Sequence, residues 1–461
     1  MSADGLQAAE QKMRSAGQSE EAIRSFRSAY NRLEQGRPAV LRTADLDPAD
    51  EVATVEGLPP ADPAEALEHV AVIKLNGGLA TTMGLQQPKS LVEAREGRSF
   101  LDIIIGQTLT LRRRHGIRLP LVLMDSEATR ADTERALARH PELDGSQGLP
   151  ADFMQSMVPK LEAGSLEPVS WPGAPALEWS PPGHGDVYSA LRGSGMLAAL
   201  LERGFEHAMI SNSDNLGATV DPRIARFIAS ERIPFVMEVV EGTESERKGG
   251  HIARRRADGQ LVLRESAQTP PDDEESFRDY RRWRYYNTNN LWVDLRALAE
   301  ILDRHDGVIE LPLIVNRKTV DPRDPESPAV IQLESAMGAA IESFPGARVL
   351  RVPRTRFVPV KTTDDLLVMR SDIYRLTEDM LVEPLPDRAT NLPYVELDKR
   401  FYRILDAFEA RFPSGPPSLR EAQRLVVRGD VTFGSGVVVR GSVELATDEP
   451  LRIEPGTVLG G

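Results

Sequence analysis

Short apolar runs alternate with amphipathic segments along most of the chain, from Val70 to about Arg375. The apolar runs have the length of buried strands, and the amphipathic segments repeat with the helical period. This alternation predicts a mostly parallel sheet with helices on its faces. The predicted strands are Val70–Leu75, Leu119–Met124, Ala208–Ser211, Phe235–Val240 and Val349–Val352. The predicted helices are Phe100–Arg114, Thr129–Arg139, Ala190–Arg203 and Asp221–Ser230.

The segments that flank this α/β region have different patterns. Residues Glu20 to Leu33 space apolar side chains at helical intervals, which predicts an N-terminal helix. The Asp- and Pro-rich stretch Asp47–Ala64 predicts an extended linker, and Val395–Arg411 predicts a helix within a connecting segment. We therefore expect an N-terminal segment over residues 1–65, a central domain over 66–384 and a C-terminal part over 385–461.

The last forty or so residues place Val, Phe or Ile at short intervals between glycines. Gly429, Gly434, Gly436 and Gly441 follow one another at nearly regular spacing. This pattern is typical of a small β-solenoid with about six residues per face. A plain β-hairpin is the alternative, and the regular glycine spacing makes it less favoured.

The composition excludes several classes of protein. The 461 residues include no cysteine, which excludes disulfides, cysteine-bound zinc and thiol catalysis. A formal net charge of −14 argues against a protein that wraps nucleic acid. Because no apolar run approaches a membrane span and the N-terminus lacks the features of a signal peptide, we expect a cytoplasmic protein with no membrane partner.

The predicted strand Val70–Leu75 leads into a loop that suits phosphate. It ends in Asn76-Gly77-Gly78, and a stretch of small residues then reaches Pro88-Lys89. Glycines let backbone amides approach an anion closely, and the lysine adds positive charge. A tight turn whose glycines serve only packing is the alternative. The loop is not a Walker A motif, since Pro88 stands before Lys89, and the chain has no Gly-x-Gly-x-x-Gly dinucleotide fingerprint.

Two later turns carry groups that suit a charged ligand. His184 lies between two glycines before a predicted helix, where amides and the helix dipole favour anions, so we expect a ligand contact rather than a core residue. Asp214 follows the strand Ala208–Ser211, and carboxyl ends of strands line the ligand crevice of open α/β sheets. A carboxylate there suits Mg²⁺ bound together with phosphate, and a turn that caps the helix near Asp221 is the alternative.

Two weaker motifs come later in the chain. Tyr286-Asn-Thr-Asn-Asn-Leu-Trp offers amide side chains that match sugar hydroxyls. Lys361 precedes a predicted helix with Thr362 or Thr363 as its N-cap. Either motif can also be an ordinary turn or helix start. No serine–histidine–aspartate order and no carboxylate pair with an evident acid–base role emerges, which fits a nucleophile that is already an anion.

Five motifs in order resemble the eukaryotic-type UTP–glucose-1-phosphate uridylyltransferases, also called UDP-glucose pyrophosphorylases. They are Lys74-Leu-Asn-Gly-Gly with Pro88-Lys89-Ser90, Pro181-Pro-Gly-His-Gly-Asp, Asn212-Ser-Asp-Asn-Leu-Gly, Asn287-Thr-Asn-Asn-Leu-Trp and Val360-Lys-Thr-Thr-Asp-Asp-Leu. The resemblance covers about residue 66 to the C-terminus. It implies an α/β fold with a Rossmann-like nucleotidyltransferase domain of the glycosyltransferase-A type and a small C-terminal left-handed β-helix. An exposed β-helix could pair with a second subunit to form a homo-oligomer.

The resemblance also implies roles for individual residues. The expected nucleotide-binding residues are Leu75, Asn76, Gly77, Gly78, Lys89, Gln155, Gly183, Asn212, Ser213, Asp214 and Lys361. The expected sugar-phosphate-binding residues are His184, Lys248, Gly250 and Asn289. Asp214 would bind the Mg²⁺ cofactor, and Lys89 and Lys361 would be catalytic by neutralising phosphate charge. The implied reaction is attack of a glucose 1-phosphate oxygen on the α-phosphorus of UTP, which yields UDP-glucose and pyrophosphate.

The chain departs from the family pattern at two positions of the first loop. Ala80 stands where the family usually has glycine, and Gln87 stands where a glycine usually precedes the proline. We expect any backbone strain in the loop at Ala80. Two alternative functions stay open: a related UDP-sugar or UDP-N-acetylhexosamine pyrophosphorylase, and a non-enzymatic sugar-nucleotide sensor, which should have lost Asp214 or Lys361.

Overall fold

A large mixed sheet forms the centre of the protein. The computed structural model describes residues 2–36, 40–143, 148–389 and 391–460. The main strands, in order across the sheet, are Ala53–Thr54, Arg348–Arg351, Phe235–Glu241, Tyr285–Asp294, His207–Asn212, Val70–Leu75, Leu121–Asp125 and Asp152–Met154. Neighbouring strands are parallel except for Tyr285–Asp294, which is antiparallel to both of its neighbours. The predicted mostly parallel sheet is confirmed, and the antiparallel strand is an addition to it.

Both faces of the sheet are covered. Along Val70–Leu75 every residue is buried, with Val70 and Val72 in one apolar core and Ala71 and Ile73 in another. A strand buried on both faces reads as a continuous apolar run, which is why its bounds could be predicted from the sequence. Three further antiparallel strands extend the sheet on one side: Leu46–Pro48, His251–Arg255 and Leu261–Arg264.

Helices surround the sheet, and two more form the N-terminal end of the described chain. The α-helices of the described residues are Ser2–Ser15, Glu20–Glu34, Pro63–Leu67, Phe100–His115, Arg130–Leu137, Val187–Gly193, Met196–Glu202, Pro222–Glu231, Glu274–Phe277, Leu295–Arg304, Thr363–Arg370, Lys399–Tyr402 and Leu405–Arg411. None of them combines the length and the apolar composition that a membrane span requires. The predicted N-terminal helix is confirmed as Glu20–Glu34, and Ser19 caps it by accepting a hydrogen bond from the Ala22 amide.

Three of the predicted elements are wrong. Ala190–Arg203 is not one helix, because Gly195 has a φ of 78° and separates two helices. Asp47–Ala64 is not simply an extended linker, since Leu46–Pro48 and Ala53–Thr54 both pair with distant strands and a helix begins at Pro63. Val395–Arg411 begins as a strand and continues as two short helices, the first capped by the Asp398 carboxylate.

Several small sheets complete the fold. The N-terminal helices pack on a three-stranded sheet made of Leu161–Glu162, Ile314–Thr319 and Ala329–Glu334. Two-stranded sheets are formed by Glu93–Arg95 with Arg98–Ser99, by Val158–Pro159 with Trp179–Ser180, and by Tyr374–Leu376 with Val382–Pro384.

The C-terminal part consists of parallel strands. One ladder joins Tyr394–Leu397, Ser418–Arg428, Val438–Ala446 and Val458–Leu459, and a second joins Val431–Phe433 to Leu451–Ile453. A plain hairpin would be antiparallel, so that alternative is wrong. Val427, Val431 and Phe433 belong to the same apolar core as Leu366 of the central domain, so the C-terminal strands pack directly on that domain.

Candidate active site

The loop after Val70–Leu75 leaves backbone donors free. The Asn76 side chain donates from Nδ2 to Asp125 Oδ1 at 2.7 Å and to Thr133 Oγ1 at 2.9 Å, which ties the loop to the end of the neighbouring strand. Burial raises the pKa of Asp125 to about 6. In the described ranges the amides of Gly77 and Gly78 donate to no protein group, so both can donate to an anion. Asn76 therefore holds the loop, while the two glycines leave their amides free.

Lys89 closes this loop and reaches the end of another strand. The Lys89 amide donates to Gly78 O at 3.1 Å, and its Nζ lies 2.6 Å from Asp214 Oδ2. Both side chains are mostly buried, at 18% and 15% exposure. The Val360 amide in turn donates to the Asp214 carbonyl oxygen at 3.1 Å, which brings the neighbouring Lys361 to the same place. Lys89 therefore pairs with the Asp214 carboxylate, and the segment that carries Lys361 is bonded to the Asp214 backbone.

Asp214 has one oxygen to offer a metal ion. Its Oδ1 atom is buried and has no hydrogen-bond partner within the described part of the chain. The described residues contain no group of three or more metal-ligating side chains, so an ion here would take its other ligands from phosphate oxygens and water. That ligand set is the one that Mg²⁺ typically has in phosphate sites. The residues present therefore fit Mg²⁺.

The remaining residues of the Asp214 turn lie against the first loop. The strand His207–Asn212 pairs in parallel with Val70–Leu75, so that Asn212 lies beside Leu75. The Ser213 amide donates to the Leu75 carbonyl oxygen at 3.2 Å. The two predicted nucleotide motifs are therefore adjacent at the carboxyl ends of neighbouring parallel strands, where the ligand crevice of open α/β sheets is found.

His184 is held in one tautomeric form. Its Nδ1 accepts a hydrogen bond of 3.0 Å from the Met337 amide, so the proton of the neutral ring is on Nε2. Burial and the charge of Lys361 lower the pKa of His184 to about 4. At neutral pH the ring is therefore an uncharged donor close to Lys361.

Gln155 connects the two glycine loops. Its Nε2 donates to the Gly183 carbonyl oxygen at 3.1 Å. A Cβ added to Gly77 would approach Gln155 Oε1 to 2.3 Å, so the amide side chain lies directly on that glycine. Gly183 has a φ of 80°, a conformation that favours glycine.

The residues predicted to contact the sugar are only partly brought together. Gly250 is buried, and its carbonyl oxygen accepts from the Asn287 amide at 3.0 Å. Asn287 Nδ2 donates to Asn289 Oδ1 at 2.8 Å, and Asn289 has a φ of 57°, which asparagine tolerates better than most residues. Lys248 is exposed on the surface near Gly250 in sequence, and no hydrogen bond joins its side chain to the described residues.

Comparison with known proteins identifies the family. The family model described as UTP–glucose-1-phosphate uridylyltransferase matches residues 23–440. The UTP–glucose-1-phosphate uridylyltransferase of Hordeum vulgare is 37% identical, covering 98% of this chain and 94% of that protein. UTP–glucose-1-phosphate uridylyltransferase 2 of Dictyostelium discoideum is also 37% identical, covering 94% of this chain and 85% of that protein. The chain belongs to the UTP–glucose-1-phosphate uridylyltransferase family.

Solved structures agree with this membership. A UDP-glucose pyrophosphorylase variant from Leishmania major in complex with UDP-glucose superimposes with a TM-score of 0.93 at 42% identity, covering 99% of this chain and 98% of that one. The Trypanosoma brucei structure described as a UDP-glucose phosphorylase gives a TM-score of 0.92 at 39% identity, covering 99% of this chain and 98% of that one. The similarity thus spans the N-terminal helices and the C-terminal strands as well as the central sheet.

One departure from the uridylyltransferase family pattern has no visible structural cost. Ala80 has a φ of −79° and a ψ of 40°, so its backbone does not need glycine, and its methyl group is buried. The left-handed position of this loop is Gly84, with a φ of 79°. The expectation of strain at Ala80 is therefore wrong.

The sequence analysis missed two groups at this uridylyltransferase site. Glu265 lies against Gly250, since a Cβ added to Gly250 would approach Glu265 Oε1 to 2.4 Å. Burial raises the pKa of Glu265 to about 7, although the charge of Lys361 acts to lower it. Glu265 follows the strand Leu261–Arg264, so the rule that polar residues at strand ends line a crevice could have found it. The segment around Met337 carries no motif, and no signal in the sequence points to it.

Proposed function

We propose that this protein transfers a uridylyl group from UTP to glucose 1-phosphate and releases pyrophosphate, forming UDP-glucose. The observation that carries the proposal is the ion pair of Lys89 with Asp214 beside a glycine loop with free amides, with the segment that carries Lys361 bonded to the Asp214 backbone. Family membership over residues 23–440 supports the same reaction. A phosphate oxygen of the sugar substrate is already anionic, so the site needs charge neutralisation and alignment more than a base.

The proposed roles follow from where each group lies. The amides of Gly77 and Gly78 would bind the nucleotide phosphates. Lys89 would give up its ion pair with Asp214 and contact the same phosphates. Lys361 would neutralise the charge that develops between the two substrates. The Nε2–H of His184 would donate to the phosphate of the sugar substrate.

We propose Asp214 as the residue that holds Mg²⁺, because its buried Oδ1 lacks a protein partner. When bound, the ion would supply further neutralisation of the nucleotide phosphates. An Asp214→Asn variant should require more Mg²⁺ for half-maximal activity and should bind Mn²⁺ more weakly in the presence of UTP. An unchanged metal dependence would place the ion elsewhere.

The Lys361 assignment is tested with a matched pair of variants. In a pyrophosphate-release assay with UTP, glucose 1-phosphate and Mg²⁺, Lys361→Met should lower kcat about a hundredfold, the scale of losing one charge-stabilising donor. Lys318→Met makes the same change at an exposed position on the edge strand Ile314–Thr319 and should keep wild-type turnover. If the wild-type protein released no pyrophosphate, the proposed function would be wrong. Near-full activity of Lys361→Met would refute only the role of this lysine.

The choice of sugar 1-phosphate is the finer part of the proposal. Asn287, Asn289 and Glu265 offer amide and carboxylate groups that match sugar hydroxyls beside Gly250. A panel of glucose, galactose and N-acetylglucosamine 1-phosphates separates glucose specificity from the broader pyrophosphorylase alternative. A sugar-nucleotide sensor would bind UDP-glucose and turn over none of them.

We also propose the finer architecture implied by the resemblance. Residues 66–384 would be a nucleotidyltransferase domain of the glycosyltransferase-A type, and the two parallel ladders of the C-terminal part would be turns of a left-handed β-helix. Leu451 and Val458 are exposed apolar side chains on these strands, at 39% and 47%, and would serve a homo-oligomeric contact. Sedimentation should show a larger species that Leu451→Glu with Val458→Glu dissociates, and an unchanged mass would exclude this surface. The cytoplasmic location and the absence of nucleic-acid partners stay predictions from the sequence.

A further inference from the structure

The segment Ser335–Gly338 lies directly against the loop that carries His184. The Ser335 amide donates to the Pro182 carbonyl oxygen at 2.9 Å, and the Gly185 amide donates to the Ser335 carbonyl oxygen at 2.9 Å. Any side chain at Gly183 or Gly185 would collide, since an added Cβ would approach Ser335 oxygen atoms to 2.4 Å. The glycines that flank His184 therefore allow a second backbone to approach the ring closely.

This close approach determines which ring nitrogen of His184 carries the proton. A backbone N–H can only donate, so the Met337 amide requires an unprotonated Nδ1 at 3.0 Å. The neutral ring then carries its proton on Nε2. An Nε2–H can donate to a phosphate oxygen, whereas the other tautomer would direct a lone pair at the anion.

Tyr188 holds the other side of Met337. It is the second residue of the helix Val187–Gly193, its side chain is 1% exposed, and its hydroxyl donates to the Met337 carbonyl oxygen at 2.8 Å. Tyr188 and His184 thus contact the same residue through its carbonyl and its amide. Because a close-packed interior leaves few other rotamers for Tyr188, its hydroxyl holds the Met337 carbonyl next to the amide that contacts His184.

We propose that Tyr188 is a positioning residue, which acts through Met337 to keep His184 as an Nε2–H donor toward the phosphate of the sugar substrate. The inference rests on the proposed function for the identity of that substrate. Tyr188 does not touch the reacting atoms. Its contribution is to hold the Met337 amide where only one tautomer of His184 is stable.

The kinetic test removes a single oxygen atom. Tyr188→Phe should raise KM for glucose 1-phosphate about fivefold to tenfold, the effect of one misplaced hydrogen bond, and leave KM for UTP unchanged. Tyr402→Phe is the matched control, since the Tyr402 hydroxyl is buried and donates to the Val431 carbonyl oxygen in the C-terminal part. Tyr402→Phe should lose about as much thermal stability as Tyr188→Phe and keep the wild-type KM for both substrates. A purely structural role for Tyr188 predicts the same behaviour for the two variants and would overturn the proposal.

The tautomer itself gives a readout that needs no turnover. Nitrogen-15 NMR of histidine-labelled enzyme, with His184 assigned by its loss in His184→Gln, should show the proton on Nε2 in the wild type and a mixture of tautomers in Tyr188→Phe. A proton on Nδ1 in the wild type would refute the proposal even if Tyr188→Phe failed to fold. If the tautomer shifts as expected while no sugar phosphate reacts, the positioning role stands and the proposed function is wrong.

Discussion

A buried ion pair next to the Asp214 turn allows a quantitative test of what stabilises the candidate site. Glu238 is inaccessible to solvent and accepts two hydrogen bonds from Arg356, at 2.9 Å from Nε and 2.5 Å from Nη2. Its carboxylate also accepts from Trp292 Nε1 at 2.9 Å and from Asn290 Nδ2 at 3.0 Å. The Arg356 carbonyl oxygen accepts from Asn215, so the pair joins the central sheet to the segment that ends in Lys361.

Glu238→Gln should destabilise the protein by about 3–5 kcal/mol, because the substitution leaves the buried charge of Arg356 uncompensated. The glutamine amide would also direct a donor at groups that are themselves donors. Glu241→Gln is a matched control on the same strand, since Glu241 pairs with Arg351 at 2.9 Å while 52% of its side chain is exposed. An exposed pair contributes about 0–1 kcal/mol, so the control should be nearly neutral.

Urea unfolding of both single variants measures the difference, and a third variant isolates the charge. Adding Arg356→Met to Glu238→Gln removes the uncompensated cation and should recover part of the lost stability, as a coupling energy of about 1–3 kcal/mol. If Glu238→Gln cost no more than Glu241→Gln, the buried charge would not matter to the fold. If the double variant lost as much stability as Glu238→Gln and Arg356→Met, each measured alone, lose in sum, the pair would not act as a unit.

Two further substitutions test buried positions near the site. Burial and the charge of Arg264 hold the pKa of His251 well below 6.5 in the folded protein. Below pH 6.5 the unfolded chain therefore binds a proton at His251 that the folded chain does not bind, and the free energy of unfolding falls as the pH drops. His251→Phe keeps the stack on Trp283, whose ring centroid lies 4.7 Å away, and should remove about 1.4 kcal/mol of this loss at pH 5.5. Urea unfolding at pH 7.5 and 5.5 checks it, and the same pH dependence in both proteins would contradict the reasoning. Ala80→Gly should destabilise by about 1–2 kcal/mol, since Ala80 has a negative φ that does not need glycine, and glycine both adds freedom to the unfolded chain and removes a buried methyl group. A more stable Ala80→Gly protein would mean that the family glycine relieves strain.

Local pattern predicted the centre of the fold but not its edges. Val70–Leu75 was predicted with its observed bounds, because a strand buried on both faces must be apolar throughout. Ala53–Thr54 was assigned to a linker, since a short edge strand needs only backbone pairing, here with Arg348–Arg351 far along the chain. The helix break at Gly195 was missed because two apolar segments in succession keep the helical period across it.

The candidate site shows the same division. The loops with Gly77, His184 and Asp214 could be predicted because each motif combines glycine with polar or charged groups at a strand or helix end, and Lys361 because it precedes a helix start. Met337 contributes a backbone amide, and every residue except proline has one, so its role depends only on tertiary approach to His184. The binding and catalytic roles of the predicted residues stay predictions until the variants are measured.

The charges around His184 explain why an acidic protein would use an uncharged donor there. The chain has a net charge of −14, yet Lys89 pairs with Asp214 and the charge of Lys361 acts on His184, so positive potential is gathered locally. Burial lowers the pKa of His184, and the charge of Lys361 lowers it further because a protonated ring would repel the lysine. The Met337 amide solves this conflict by leaving the proton on Nε2 of a neutral ring. The site can then offer a directed hydrogen bond beside its lysines without adding a third positive charge. We therefore expect the tautomer of His184, rather than its protonation, to control binding of the sugar phosphate.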